Sequence, residues 1–397
     1  MDAFISVSNT GRLDRAQFPV KILFPIGTLY PSQAGGPSNT VYWMARALVA
    51  QGIEVTCMAT NHGAEQEIEA DRWLSTSYGR VIYFRARVHQ LPLKMILAAA
   101  RQIRHHDCIH LNALFYPPSF ILAAIAVWKK KAVLWSCRGN LDEAALRFSR
   151  WKKIPLLWVI KKLLAGPGTT FHATSAVESA HIKRHFGPNV RLVEISNYME
   201  LPTPVPRHAQ KPYLLCVGRI HPVKALDCLI RAVSISKTFL RSAFELWLAG
   251  EDSNTHAMEL KKLVDNLGLE NRIRFIGHVE GDAKQALYAN AYFSILPSYT
   301  ENFGNVVIES LAQGTPVIAS KGTPWASLET HQAGFWVDNA PESLAQAIDN
   351  SLLLPDDAYT DYRKHAQQMA KEQFDVFKNI HRWIAIYRLS MNTIQIR

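Results

Sequence analysis

The sequence is poor in cysteine: five residues, Cys57, Cys108, Cys137, Cys216 and Cys228, with no C-x-x-C pair. An odd, scattered set argues against a disulfide framework and reads as reduced, mostly buried thiols of a cytoplasmic protein. There is no G-x-G-x-x-G and no G-x-x-x-x-G-K-[ST], which argues against a dinucleotide enzyme or a P-loop NTPase. No apolar run approaches the roughly 20 residues that span a bilayer; Phe120 to Trp128 is the longest candidate. The opening MDAFISVSNTGRLDRAQF has neither a basic start nor an apolar core, so no signal peptide is expected. Acidic residues are missing between Glu143 and Glu178, and no Asp-x-Asp occurs anywhere.

What is present points to a globular α/β chain of two domains, since 397 residues exceed the size at which one core keeps growing. The net charge of +11 is one-sided. Residues 1–200 hold 24 Lys and Arg against 13 Asp and Glu, whereas residues 201–397 hold 20 against 20. A basic first half suits an anionic surface or substrate: membrane headgroups, a phosphorylated lipid carrier or nucleic acid. In the acid-free stretch, Arg147, Arg150, Lys152, Lys153, Lys161 and Lys162 alternate with Phe148, Trp151, Leu156, Leu157, Trp158 and Ile160. Such a mixture fits an interfacial amphipathic helix, or a solvated helix whose other face packs on a sheet.

Strands are expected at Val20–Phe24, Ile53–Met58, Val81–Phe84, Cys108–Leu111 and Ala132–Trp135, mostly with helices between them, so the first half reads as a parallel sheet covered by helices. Gly35-Gly36 follows the first strand and opens a helix over Val41–Ala50; such a loop is either a tight turn or a ligand-facing one. Arg138 follows the strand ending at Trp135, at the edge where open α/β sheets bind ligands. Its guanidinium suits hydrogen bonding or charge stabilisation, or else a structural salt bridge. Residues 201–212, with four prolines, read as an extended linker. The strand–glycine–helix rhythm then restarts at Tyr213–Val217, with Gly218-Arg219 at the turn and a helix from about Val223 carrying Lys224. Cations there can hold a diphosphate and stabilise it as a leaving group. Glu251 follows the next strand, Phe244–Ala249.

The most informative stretch is Leu296 to Ser320. A strand ends at Leu296, a loop holds Glu301, and a helix restarts near Gly304 and carries Glu309. The backbone N–H groups of Asn302, Phe303, Gly304, Asn305 and Val306 suit an anionic or hydroxyl-rich ligand, and Gly304 allows close approach. Carboxylates beside such a helix start suit sugar and ribose hydroxyls.

Glu301-Asn-Phe-Gly-Asn-Val-Val-Ile-Glu309, with Leu-Pro-Ser before it and Gly314-Thr-Pro-Val317 after it, resembles the Glu-x7-Glu signature of family 4 retaining glycosyltransferases. The resemblance implies a GT-B fold: α/β, two Rossmann-like doubly wound parallel-sheet domains facing across a cleft. It implies an acceptor-binding domain over 1–200, a linker over 201–212, a nucleotide-sugar domain over 213–372, and a last helix over 373–397 returning to the first domain. It also implies hexosyl transfer from a UDP- or GDP-sugar without a metal or other cofactor. Glu301, Arg219, Lys224 and Arg138 would be catalytic. Gly35, Gly36, Gly218, Glu251, Asn302, Phe303, Gly304, Asn305, Val306 and Glu309 would line the donor. Many members have His-Gly where this chain has Arg138-Gly139, as a subset of bacterial polysaccharide and lipopolysaccharide transferases does. The expected partners are a glycan or polyprenyl-diphosphate-linked acceptor and an anionic membrane, with a peripheral place on its cytoplasmic face and no nucleic acid. A GT-B phosphorylase, a basic nucleic-acid-binding protein and a non-catalytic sugar-nucleotide-binding subunit are the competing readings; no RRM, KH or zinc pattern favours the second.

Overall fold

The computed structural model describes residues 20–395 except 33–35, 65–67, 86, 87, 89, 148 and 209–211. The chain forms two compact units, one taking the chain up to Glu200 and again from Val376, the other Leu201–Asp375.

In the first unit the strands are β1 (Lys21–Pro25), β2 (Glu54–Thr60), β3 (Trp73–Thr76), β4 (Gly79–Phe84), β5 (Cys108–Asn112), β6 (Ala132–Ser136), β7 (Thr169–Ala173) and β8 (Leu192–Glu194). Their order in the sheet is β3-β4-β2-β1-β5-β6-β7-β8, parallel throughout except for the antiparallel β3–β4 hairpin at one edge. Central strands of such a sheet are covered on both faces, which is why β5 and β6 are buried along their whole length. The helix Gly36–Ala50 and the C-terminal helix Val376–Gln395 share one apolar cluster, in which Val41, Met44 and Leu48 join Ile380, Trp383 and Tyr387. The returning helix thus begins at Val376, whose N–H donates to the Met199 carbonyl (3.0 Å).

A buried polar chain fixes that helix to the sheet. His172 Nε2 lies 2.8 Å from the Ile195 carbonyl, Ser136 Oγ lies 2.8 Å from both His172 Nδ1 and His110 Nε2, and His110 Nδ1 lies 2.6 Å from the Tyr387 hydroxyl. Because a carbonyl only accepts, His172 Nε2 donates, and the direction propagates: Ser136 donates to His172, His110 Nε2 donates to Ser136, and Tyr387 donates to His110. That direction holds for neutral imidazoles, the form that burial favours. Burial drives His172 down to about 3 and His110 well below its ordinary value of 6.5, with each further disfavoured as a cation by Arg138.

The second unit holds β9 (Tyr213–Val217), β10 (Glu245–Ala249), β11 (Ile273–Gly277), β12 (Ser294–Leu296), β13 (Val317–Ser320) and β14 (Gly334–Val337). They are ordered β11-β10-β9-β12-β13-β14, all parallel. This is the doubly wound 3-2-1-4-5-6 order, whose switch point lies between β9 and β12. The proline-rich segment that follows Glu200 has no regular structure, but it is fastened to this unit. The Val205 N–H donates to Gln313 Oε1 (2.8 Å), Gln313 Nε2 donates to the Thr203 carbonyl (3.3 Å), and the His208 N–H donates to Asn290 Oδ1 (2.7 Å).

The basic–aromatic stretch of the first unit is two helices, Glu143–Arg147 and Arg150–Val159, running on into a π-helical turn over Ile160–Leu164. The break falls at Ser149, whose φ of 57° no helix tolerates. Leu157, Ile160 and Leu164 face the core at helical spacing, while Trp151, Ile154 and Trp158 form a second, uncovered stripe. Among the described residues no helix is long and apolar enough to cross a membrane.

Both histidines bind a proton more weakly when folded than when unfolded, so the stability they contribute is complete above pH 6.5 and is lost as pH falls below it, for His172 down to about 3. Each is expected to remove roughly 1.4 kcal/mol of stability per pH unit below 6.5. Urea unfolding at pH 7 and pH 5 should show this drop, and His172→Gln should have a smaller one; an identical pH dependence in both proteins would refute the assignment.

Candidate functional site

At the switch point of the second sheet, the exits of β9 and β12 part and leave a crevice lined by Val217, Gly218, Arg219, Lys224, Leu296, Pro297 and Ser298. Its floor is close-packed backbone. The Gly218 N–H donates to the Ala249 carbonyl (2.9 Å), and a Cβ on Gly250 would stand 2.0 Å from the Gly218 oxygen. Past Gly218 the chain makes a single 3-10 turn, Pro222–Lys224, before the helix Leu226–Ile235 begins. Lys224 thus lies in a turn rather than in the α-helix expected from about Val223. Arg219 is exposed and makes no ion pair among the described residues.

The β12 exit is pinned on two sides. The Tyr299 N–H donates to the Val223 carbonyl (2.9 Å) and the Glu301 N–H to the Gly322 carbonyl (3.0 Å). These bonds bring Glu301 onto Lys224, whose Nζ pairs with Oε2; the two side chains are 21% and 19% exposed. Gly304 follows with φ 87°, and a Cβ there would lie 2.9 Å from Leu296 Cδ2 and 3.2 Å from Glu301 Cγ. It is the N-cap of the helix Asn305–Ala312 and brings no capping side chain, so the first turn keeps the donor character of an uncapped N-terminus. Asn302, Asn305 and Val306 are part-exposed around it. The Phe303 side chain is buried against Trp325, which donates from Nε1 to the Phe303 carbonyl (2.5 Å), so this residue anchors the loop rather than presenting its ring to a ligand.

Glu309, four residues into that helix, is held by two groups that sequence reasoning missed. Lys284 Nζ lies 2.6 Å from Oε2, and the buried Tyr288 hydroxyl donates to the same oxygen at 3.0 Å. Burial and the Glu309 charge push the Tyr288 phenol well above its ordinary range, so it remains a donor. Both come from the helix Gly281–Asn290, and their spacing of four residues was the available signal. Glu251 is exposed beyond β10 and accepts from Ser253 Oγ (3.0 Å).

Two of the expected site residues that the structure describes lie in the first unit. Gly36 opens the helix Gly36–Ala50, while Gly35 lies outside the described residues. Arg138 stands at the carboxyl end of β6 with φ 55°, donating from Nε to Asn112 Oδ1 (3.1 Å) and from Nη1 to Asn197 Oδ1 (2.7 Å). Burial lowers its pKa to about 10 against the opposing pull of Glu178. It makes no salt bridge among the described residues, because Glu178 instead accepts from the Gly139 N–H (2.6 Å) and from the Thr174 N–H (2.7 Å) and hydroxyl (2.9 Å). Nη2 of Arg138 and Nδ2 of Asn112 are buried without partners among the described residues.

Comparison with known proteins follows the same division. Residues 34–201 match the family model Glycosyltransferase Family 4, and residues 200–373 match Glycosyl transferases group 1. An uncharacterized glycosyltransferase of Methanocaldococcus jannaschii is 32% identical over 176 residues, covering 42% of this chain and 44% of the relative. The D-inositol 3-phosphate glycosyltransferase of Salinispora arenicola is 36% identical over 151 residues, 35% of this chain and 33% of the relative. The chain thus spans less than half the length of these curated relatives. Among solved structures, sucrose-phosphate synthase of Thermosynechococcus elongatus superposes with TM-score 0.71 at 21% identity, over 93% of this chain and 98% of that one. Anabaena Alr3699/HepE in complex with UDP and glucose gives 0.71 at 20% identity, over 94% and 100%. WaaG, a glycosyltransferase involved in lipopolysaccharide biosynthesis, gives 0.63 at 16% identity, over 92% and 99%. With two doubly wound parallel-sheet units, these likenesses give the GT-B fold.

The left-handed backbone at Gly304, with Leu296 crowding its Cβ position, makes any side chain there costly. Gly304→Ala is expected to destabilise the protein by about 1–2 kcal/mol, read from the urea midpoint. A shift below the error of that measurement would mean that the loop relaxes freely.

Proposed function

We propose, from a first half that matches the model Glycosyltransferase Family 4 and a second half that matches Glycosyl transferases group 1, a retaining transfer of a hexose from a UDP- or GDP-sugar to a glycan or lipid-linked glycan acceptor. One observation carries the reading: Lys224 of the switch-point crevice pairs with Glu301, which lies just before the uncapped start of the helix Asn305–Ala312 that carries Glu309. The helix start and the cations Lys224 and Arg219 suit the diphosphate and its growing charge as it leaves. Glu301 accepts hydroxyl hydrogen bonds from the transferred sugar, and Glu309 accepts from the ribose. The acceptor hydroxyl attacks the anomeric carbon on the side from which the diphosphate departs; the bond to the phosphate oxygen breaks, and the hydroxyl proton passes to that oxygen. In this reading Lys224 and Arg219 supply the charge that a divalent metal supplies elsewhere. Arg138, held by Asn112 and Asn197, belongs to the acceptor-binding unit and offers hydrogen bonds from a fixed guanidinium.

The acceptor reading extends to an anionic membrane surface. Trp128, Trp151, Trp158 and Leu163 are 79%, 75%, 62% and 67% exposed, beside Lys129, Lys130, Lys152, Lys161 and Lys162 and with no acid nearby in sequence. Lys152 lies over the Trp151 ring (4.8 Å) and Lys129 over that of Trp128 (5.5 Å), the pairing of base and aromatic that suits headgroups above acyl chains. Lipopolysaccharide or another cell-surface polysaccharide is the pathway this acceptor class fits.

A panel of UDP- and GDP-sugars, with and without a lipid-linked acceptor, is expected to show release of one nucleotide. Lys224→Ala should then lower kcat on the order of 100-fold with the circular dichroism spectrum unchanged. Near-normal turnover would remove Lys224 from the mechanism. Vesicles containing phosphatidylglycerol should sediment the protein, and neutral phosphatidylcholine vesicles should not. Trp151→Ala with Trp158→Ala should weaken the former, and equal binding to both lipids would refute an anionic surface.

A further inference from the structure

Lys284 and Tyr288 are separated by one helical turn and therefore share a face of the helix Gly281–Asn290. Both reach the same atom, Oε2 of Glu309, at 2.6 Å and 3.0 Å. Oε1 has no partner among the described residues. The ion pair is shielded, with Lys284 21% and Glu309 13% exposed, and Tyr288 is fully buried behind it. An ammonium and a hydroxyl on one oxygen fix the carboxylate plane, since rotation would exchange a doubly held oxygen for an unheld one. The remaining oxygen keeps its lone pairs and can accept two O–H donors at once.

We propose that Lys284 is a positioning residue that locks Glu309 through Oε2, so that Oε1 is presented as the acceptor for the vicinal hydroxyls of the donor's ribose. The assignment rests on the reading of this unit as the sugar-nucleotide unit. It adds a second role for the ammonium. A bare Glu309 would repel the negatively charged nucleotide, and pairing with Lys284 cancels that charge without removing the acceptor. A lysine that merely tied two helices together would affect stability and leave ribose selectivity alone.

The experiment uses the full chain with UDP, GDP and their 2′-deoxy analogues as calorimetric probes, and steady-state kinetics with the accepted sugar nucleotide. The unsubstituted protein is expected to bind its preferred ribonucleotide about tenfold more tightly than the deoxy form, the loss of one hydrogen bond to a charged acceptor. Lys284→Met should raise Kd and KM about tenfold, bring the ribo-to-deoxy ratio close to one, and change kcat by less than about threefold. Lys284→Arg should restore most of the ratio, and Tyr288→Phe should lose part of it. Those two variants decide the matter if the Met variant melts early. Unchanged Kd and ratio in Lys284→Met would overturn the proposal, as would a fall in kcat at constant KM. Failure of the unsubstituted protein to bind either UDP or GDP would instead overturn the donor reading itself.

Discussion

The contact that ties the two strand exits of the second unit's crevice together is the pairing of Lys224 with Glu301 across the switch point. The two residues come from the exits of neighbouring strands 77 positions apart, and the Tyr299–Val223 backbone bond holds those exits together. Part-exposed pairs of this kind contribute little to stability, so the pair matters for placement rather than for folding. It keeps a cation of the crevice and an acid of the adjoining loop in contact, each neutralised by the other. Glu309 follows the same rule with Lys284: in both acids one oxygen is held and the other has no partner among the described residues.

Much of this was legible in the sequence, because the informative residues lie in one unbroken stretch. Glu301, Gly304 and Glu309 occupy a strand–loop–helix segment whose local rules are strong, and β9 falls on Tyr213–Val217 as its apolar run implies. The rest was hidden where side chains meet from distant parts of the chain. Lys284 and Tyr288 read as ordinary residues of a surface helix until Glu309 is placed against them. β7 was missed because Thr169, Thr170 and His172 are polar, yet all three are buried, and the histidine is satisfied by Ser136 and Ile195. The helix around Trp151 was expected as one piece, and no rule of pattern marks Ser149 as a residue with positive φ.

Arg138 illustrates a different limit. Its strand-end position is readable, but its partners are two amides, Asn112 and Asn197, from the ends of other segments. Neutral amide oxygens fix the orientation of the guanidinium without cancelling its positive charge, whereas a carboxylate partner would fix it and neutralise it. Glu178 lowers the cost of that buried charge from a distance, being itself hydrogen-bonded to Gly139 and Thr174.

The helix Val376–Gln395 gives the molecule a particular order of assembly. Trp383 and Tyr387 pack on His110 and His172, and the Tyr387–His110 bond joins positions 277 residues apart. During synthesis the N-terminal sheet emerges first but lacks this piece until residues 376–395 have followed the whole of the second unit. The contiguous second unit can close on itself earlier, so translation order and completion order are reversed, and the oldest part of the polypeptide is the last to be sealed.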